Sequence, residues 1–443
     1  MAAQQRHKVL NRKQRLELGQ QARKCLSRSK LGELESRKRS FDPIQILLAS
    51  ARDRVPRLLP IKYSRMAVSP FAFFRGAVAI MAADLAAQDR TDLTVQLCGD
   101  AHVQNLGSFE APDGRIVFDI NDFDETIAGP WEWDVKRMAA SIVLAGLEVE
   151  HDEPSCNAAV ENFAKTYVLT IGELAEQPIL TAARHQIRRL KKAQATSAAL
   201  REAQRAQPMD LVKKYTEPAA RGRVRFRKLE PVLWPLKGKS KQAVLAGLPA
   251  YRESLPPERL HLFDFFEPLD VAFKIVGTGS VGLRDYVVLM EGNGKIDPLF
   301  LQIKQEVESA YAPYLKTAKC RNQGYRVAEG QRRVQTISDL MLGWTRIGGR
   351  DFLVRQLNDH KGSVSLESLR GEGLSQLAGI AGELLARGHA RSGDALAIKG
   401  YLGGSGAAVT SIVKYGLAYA KLTYSDFELF GNKIKQGRIR VAA

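Results

Sequence analysis

Two short polar runs, CGDAHVQN at residues 98–105 and FDINDFDE at 118–125, constrain the fold more than any other feature of the chain. Asp100 and Asn105 stand five residues apart, and Asp122 follows after a connection of hairpin length. A carboxylate, a side-chain amide and a second carboxylate are what phosphoryl transfer needs to hold a base and a magnesium ion. Magnesium takes hard oxygen ligands beside the phosphate oxygens, and an Asp orients or accepts the acceptor's proton. The plain alternative is a pair of Asx turns, one closing the apolar strand Leu93 to Leu97. A lone D-x-x-x-x-N does not decide between the two.

Further parts of such a site lie far along the chain. Residues 271–291, VAFKIVGTGSVGLRDYVVLME, read as strand, glycine turn and strand, with Gly277, Gly279 and Gly282 in G-x-G-x-x-G spacing and Ser280 inside the turn. Flanking strands predict a hairpin lying over phosphates, not the strand-to-helix turn of a dinucleotide-binding fold. With 36 glycines in the chain the spacing alone is weak. The next strand, PLFLQIKQ at 298–305, carries Lys304 between apolar neighbours, as the phosphate-anchoring strand lysine of kinases is carried. Such a lysine pairs with a helix glutamate. Glu329, in the helical stretch YRVAEGQRRVQTISDLM, is the first choice, with Glu306 and Glu308 as substitutes. A solvated lysine on an edge strand is the plain reading. The Asp100 to Asn105 separation is that of the kinase catalytic loop, and Asp122 stands as a DFG-type aspartate. Glycine hairpin and lysine normally precede the catalytic loop. Here they follow it, so the fold this implies is a circularly permuted one.

The stretches RMAVSPFAFFRGA (65–77), LCGDAHVQNLGSFE (97–110), FDINDFDETIAGPWEWDVKRMAAS (118–141), GTGSVGLRDYVVLMEG (277–292), LQIKQE (301–306), EGQRRVQTISDLMLGW (329–344), RQLNDHKG (355–362) and HARSGD (389–394) resemble the bacterial family of domain of unknown function 2252. That family is regarded as related in fold to protein kinases and aminoglycoside phosphotransferases, and its substrate is not established. The resemblance implies an α+β, two-lobed, kinase-like fold with the helical lobe first. Small-molecule phosphotransferases carry H-G-D-x-H-x-x-N, then I-D-F, then a D-L-A helix start. Gly99, Asp100, His102 and Asn105 match the first, Asp122 with Phe123 the second, and Asp134 with Val135 resembles the third. Cys98 replaces the leading His. Asp119 and Asp124 flank Asp122, and strand alternation would put Asp122 and Asp124 on one face, as ligands for one or two magnesium ions. Arg65 and Arg75 are either phosphate-facing or bracing. His389 and Asp394 are read as bracing at the permutation seam.

Two other functional classes stand beside this one. Asp100, His102, Asp122 and Asp124 would make a mixed nitrogen and oxygen site for a divalent-metal phosphoesterase or hydrolase. That reading leaves the glycine hairpin and Lys304 unused. A scaffold that binds nucleotide or nucleic acid without catalysis is the third.

Charge bears on partners. Residues 1–40 hold twelve Lys or Arg against three Glu and residues 181–230 hold fourteen against four acids, so two segments carry the net +18. The second includes Arg221, Arg223, Arg225, Phe226 and Arg227, an interleaving suited to a phosphate backbone, though 7% aromatic content and the lack of a nucleic-acid motif count against it. No run approaches 18 apolar residues, and the first residues lack an apolar signal core. Cys25, Cys98, Cys156 and Cys320 are widely spaced, as free thiols in a reducing cytoplasm would be. The expected organisation is a basic extension at 1–40, a helical catalytic-loop lobe at 41–180, a basic helical insert and linker at 181–260, a β-rich nucleotide lobe at 261–362, and helices at 363–443 that rejoin the first lobe. Its expected ligands are ATP, Mg2+ and an acceptor, with Asp100 as base, Asn105, Asp122 and Asp124 at the metal, and Gly277, Gly279, Ser280, Gly282, Lys304 and Glu329 about the nucleotide.

Overall fold

Strand alternation in PLFLQIKQE sorts its side chains to two faces, and both faces are covered. In the computed structural model, which describes residues 9–34, 39–187, 193–220, 223–275, 277, 279–294, 297–316, 319–357, 361–404 and 406–442, this segment is the third strand of a six-stranded antiparallel sheet. Thirteen strands are described: β1 (Thr94–Leu97), β2 (Leu106–Glu110), β3 (Ile116–Ile120), β4 (Ile127–Pro130), β5 (Thr216–Pro218), β6 (Val224–Phe226), β7 (Leu233–Pro235), β8 (Glu267–Lys274), β9 (Asp285–Glu291), β10 (Pro298–Glu306), β11 (Gly343–Ile347), β12 (Arg350–Gln356) and β13 (Gly362–Ser363). The large sheet runs β11-β12-β10-β9-β8-β7, so β10 lies between β12 and β9.

One face of this sheet, with Leu299, Leu301 and Ile303, packs against Val244, Leu248, Tyr251 and Phe263 from short helices between residues 238 and 263. The other holds Phe300, Gln302 and Lys304, and its apolar part is covered by Tyr215 and Phe226. The span 181–260 therefore supplies strand β7 and the cover of both faces. Within it, Phe226 is a core residue and its arginine neighbours have partners: Arg225 Nε donates to Glu217 at 2.9 Å and Arg227 Nε to the Thr216 carbonyl at 2.8 Å. Arg221 lies outside the described residues.

The helical part is built on Trp131–Glu148, buried along most of its length and flanked by Pro70–Gly76, Glu153–Glu176, Gly373–Ser392 and Ala407–Lys435. Trp131 stacks on Tyr167 at 5.6 Å, and Gly382 brings Gly373–Ser392 against the Phe163 carbonyl, where a Cβ would sit 2.5 Å away. The helix Arg12–Ala22 is fixed by a capping box between Asn11 and Gln14 and lies on Ala395–Leu402. There Arg15 Nε meets Asp394 at 2.7 Å, and Asp394 also caps Ala395–Leu402, so Asp394 braces two helix ends. No helix among the described residues is long and apolar enough to cross a membrane.

The helix Gln323–Val334, between β10 and β11 in the chain, lies on β12 through Gly324. A Cβ there would stand 2.1 Å from the Phe352 carbonyl, a backbone atom that does not rotate away. Gly324→Ala should therefore lose about 1–3 kcal/mol of stability despite alanine's better helix propensity, read from urea unfolding midpoints at unchanged m.

Candidate functional site

The loop after β1 is shaped by Asp134, in the first turn of Trp131–Glu148. Its two carboxylate oxygens accept from the backbone N–H of Cys98 at 2.8 Å and of Gly99 at 3.0 Å. Gly99 has φ +87°, and a Cβ there would lie 2.2 Å from the Glu125 carbonyl, so the turn demands glycine. His389 Nε2 lies 3.4 Å from Asp134 and its Nδ1 2.8 Å from the Tyr167 hydroxyl, which fixes His389 as a brace.

This turn presents Asp100. Arg137, three residues beyond Asp134 on the same helix, donates to Asp100 Oδ1 from Nε at 2.7 Å and also from Nη2, and rests over the Phe74 ring. Desolvation raises the Asp100 pKa, with Arg137 opposing it. Oδ2 points to His102 Nε2 at 3.7 Å, and burial, then Arg75 and Arg137, hold that imidazole well below its usual range and neutral. Asn105 Nδ2 donates to the Asp100 carbonyl at 2.8 Å, which leaves its amide oxygen for a ligand.

Asp122 and Asp124 do not lie on a strand, contrary to the alternation read from DINDFDE. β3 ends at Ile120, and a turn follows in which the Asp124 N–H donates to Asp122 Oδ1 at 3.3 Å. The turn still brings both to Lys304. Lys304 Nζ is 2.7 Å from Asp124 Oδ1 and 3.8 Å from Asp122 Oδ1. Lys304 is buried on a central strand, not solvated at an edge. Desolvation opposes its charge, but Asp122 and Asp124 outweigh that and raise its pKa. Desolvation likewise raises Asp122, and Lys304 with Arg355 overcome it and hold this carboxyl well below the carboxylate range. Asp124 is pushed up, by desolvation and then by Asp122. The turn is clamped by Arg326, whose Nη2 donates to the carbonyls of Asp124 at 2.8 Å and Val307 at 2.9 Å.

Glu329 is not at this ion pair. It accepts from Arg332 Nη1 at 2.8 Å, so the expected Lys304 partner is replaced by Asp124. Glu306, one of the two substitutes, shares the Lys304 face, is 4% exposed, and has an Oε1 without a hydrogen-bond partner. Glu132 is outside the cleft as well, its carboxylate accepting from Thr91.

A cavity of about 410 Å³ joins these parts. Asp100, Asn105, Asp122, Asp124, Glu306, Gly277, Gly279 and Ser280 line it, while Lys304 and Gly282 are not among its lining residues. The glycine turn is tied to the helical part: Arg65 donates to the Gly277 carbonyl, Arg54 Nη1 to Val281 O at 2.6 Å, and Val55 N–H to Gly282 O at 2.7 Å. Arg65 thus braces, while Arg75 lines the cavity with its Nε unpartnered. Val276 and Thr278 lie outside the described residues. Among the described residues no three His, Cys, Asp or Glu side chains are grouped to hold a metal by themselves. Arg137 and Arg326 were assigned no role from sequence; the position of Arg137 one helical turn after Asp134 was the signal for it.

Asp285, opposite Lys304 in β9, accepts from Gln302 Nε2 at 2.6 Å while its Oδ1 has no partner, and burial raises its pKa to about 6. An acid with a raised folded-state pKa costs stability above that value and not below the unfolded one, since the folded state holds the proton longer. Asp285→Asn should raise the melting temperature at pH 8, with a gain that shrinks to nothing near pH 4; a gain independent of pH would refute the assignment.

The family DUF2252, described as an uncharacterised protein conserved in bacteria, matches residues 54–433. No curated protein and no solved structure matched the chain.

Proposed function

The chain belongs to this bacterial family, and we propose that it is an ATP- and magnesium-dependent phosphotransferase whose α+β fold is kinase-like with the lobes in permuted order. The contact of Lys304 with Asp124 and Asp122 carries the reading, because it closes one site from two motifs about 180 residues apart. The order of parts supports it: glycine hairpin β8–β9, lysine strand β10, then the helix Gln323–Val334, as in the nucleotide-binding part of kinases.

The residues fit magnesium. Asn105 offers an amide oxygen and Asp122 an ionised carboxylate on one cavity, a pair that phosphate oxygens and water complete. When bound, the ion would neutralise phosphate charge. Asp100, aligned by Arg137, takes the proton of the acceptor hydroxyl as the acceptor oxygen attacks the terminal phosphorus and ADP departs. Lys304 anchors the phosphate chain, and the glycine turn covers it with backbone N–H groups. Cavity-lining acids, Asp53 and Glu308 among them, favour an acceptor with positive charge. The hydrolase reading has less to stand on, since Lys304 occupies Asp124 and the glycine turn is left without a role.

Thermal shift with ATP tests this. Magnesium-dependent stabilisation should appear in the native chain, vanish in Asp122→Ala and Lys304→Ala together with nucleotide turnover, and persist in Glu329→Gln. Unchanged turnover in either of the first two would sink the assignment. No response to any nucleotide would return the metal-hydrolase reading to first place.

A further inference from the structure

The sheet face that carries Lys304 also walls a second, smaller pocket, on the far side of Gln302 from the glycine turn. It has a volume of about 70 Å³ and is lined by Gln302, Gln331, Gln335, Arg355 and Lys361 among others. A single water needs roughly 10–15 Å³ of such space, so this one takes a group of several heavy atoms and no purine. The neighbouring apolar part of the same face is closed by Tyr215 and Phe226.

The pocket's two cations have no ion-pair partner in contact among the described residues, although the Asp122 and Asp339 carboxylates act on Arg355 from farther off. Arg355 Nε donates to Gln302 Oε1 at 3.0 Å and Nη1 to the Asn121 carbonyl at 3.4 Å, both neutral acceptors, and Nη2 has no protein acceptor among the described residues. Neither Arg355 nor Lys361 makes an ion pair among the described residues, and Arg355, Lys304 and Lys274 all repel the Lys361 ammonium, with Asp122 opposing them. The glutamines are spent on one another and on the chain: Gln331 Nε2 donates to Gln335 at 3.0 Å, and Gln335 Nε2 to Ile120 O at 2.6 Å. The one carboxylate in the lining, Asp339, accepts from the backbone N–H of Met341 at 2.6 Å and of Gln356 at 2.8 Å. Arg355 with a free Nη2 on a polar wall, and the exposed Lys361 ammonium at the rim of a space of this size, match a tetrahedral oxyanion.

We propose that this pocket binds a phosphate group, with Arg355 and Lys361 as its charged donors. The site is separate from the metal position at Asn105 and Asp122, and it stands whether or not the chain transfers phosphate from ATP.

The test uses the full chain in EDTA at constant ionic strength, with inorganic phosphate and pyrophosphate as probes read by calorimetric titration. Saturable binding is expected, weakened about ten-fold or more in Arg355→Gln and in Lys361→Gln, and unchanged in Lys228→Gln, a cation outside the pocket. Lys361 lies on the rim with no packing role, so its variant reports even if Arg355→Gln fails to fold. In a second titration without EDTA, displacement of phosphate by ATP with magnesium would identify the group as part of the nucleotide; phosphate binding undiminished beside ATP would identify a separate phosphorylated ligand. Either supports the pocket. Absence of saturable binding, or equal affinity in the Lys361 variant, overturns it, and the Lys304 and Asp122 comparison with ATP is unaffected by that result.

Discussion

A buried ammonium on a central strand is the constraint on which the arrangement depends. Lys304 sits in the middle of β10 with strands on both sides, where an unpaired charge would be prohibitive. Two carboxylates from a turn of the other part of the molecule satisfy it. Such a pair is weak as a source of stability, because both partners lose water to form it. Its value is in specification. Only one placement of the 121–126 turn against the sheet neutralises Lys304, and Arg326 locks that placement by binding carbonyls from both sides of the junction.

The same logic runs back to Asp100. Asp134 gathers two backbone amides and sets the turn, while Arg137, one turn further on the same helix, neutralises the carboxylate that the turn presents. Positioning and charge therefore come from one rigid element, which is itself buried by aromatic and aliphatic packing on almost every side. A site assembled this way has its geometry fixed before any ligand arrives.

Much of this was legible as local pattern. Alternation in VAFK, YVVLM and PLFLQIKQ gave the hairpin and the lysine strand, and the polar runs near 100 and 122 marked the facing wall. What could not be read was phase. In the helix Gln323–Val334 the buried positions include Gly324, Val327, Ala328, Gln331 and Val334, so Glu329, two residues from both Val327 and Gln331, is turned nearly to the opposite side. Close approach at Gly324 and at Gly330, where a Cβ would meet Thr126 at 2.4 Å, sets that rotation, and nothing within the helix sequence says which backbone it will touch. Asp124 became the lysine partner by default of a helix acid. The run Val224, Arg225, Phe226, Arg227 is ambiguous for a related reason. Its alternation puts Phe226 inward and arginines outward, the signature of a half-buried strand, whereas the density of arginines suggested a phosphate surface.

On the proposed function, the distribution of charge then bears on how a nucleotide would enter. Within the larger cavity Asp100 and Asp124 are already neutralised by Arg137 and Lys304, and burial pushes Glu306 and Glu125 toward the protonated form, so Asp122 and Glu308 face the space as carboxylates with Arg54 and Arg75 as the cations. A triphosphate brought alone to such a wall would meet repulsion from Asp122, in a setting of lowered dielectric where repulsion is amplified. Lys304 does not relieve it, because its charge is spent on Asp124. On the proposed reading, a divalent cation held by Asn105 and Asp122 would offset that repulsion and free Lys304 to share its proton donors with phosphate oxygens. Metal and nucleotide binding would then be coupled through the wall itself, each improving the site for the other by the same factor.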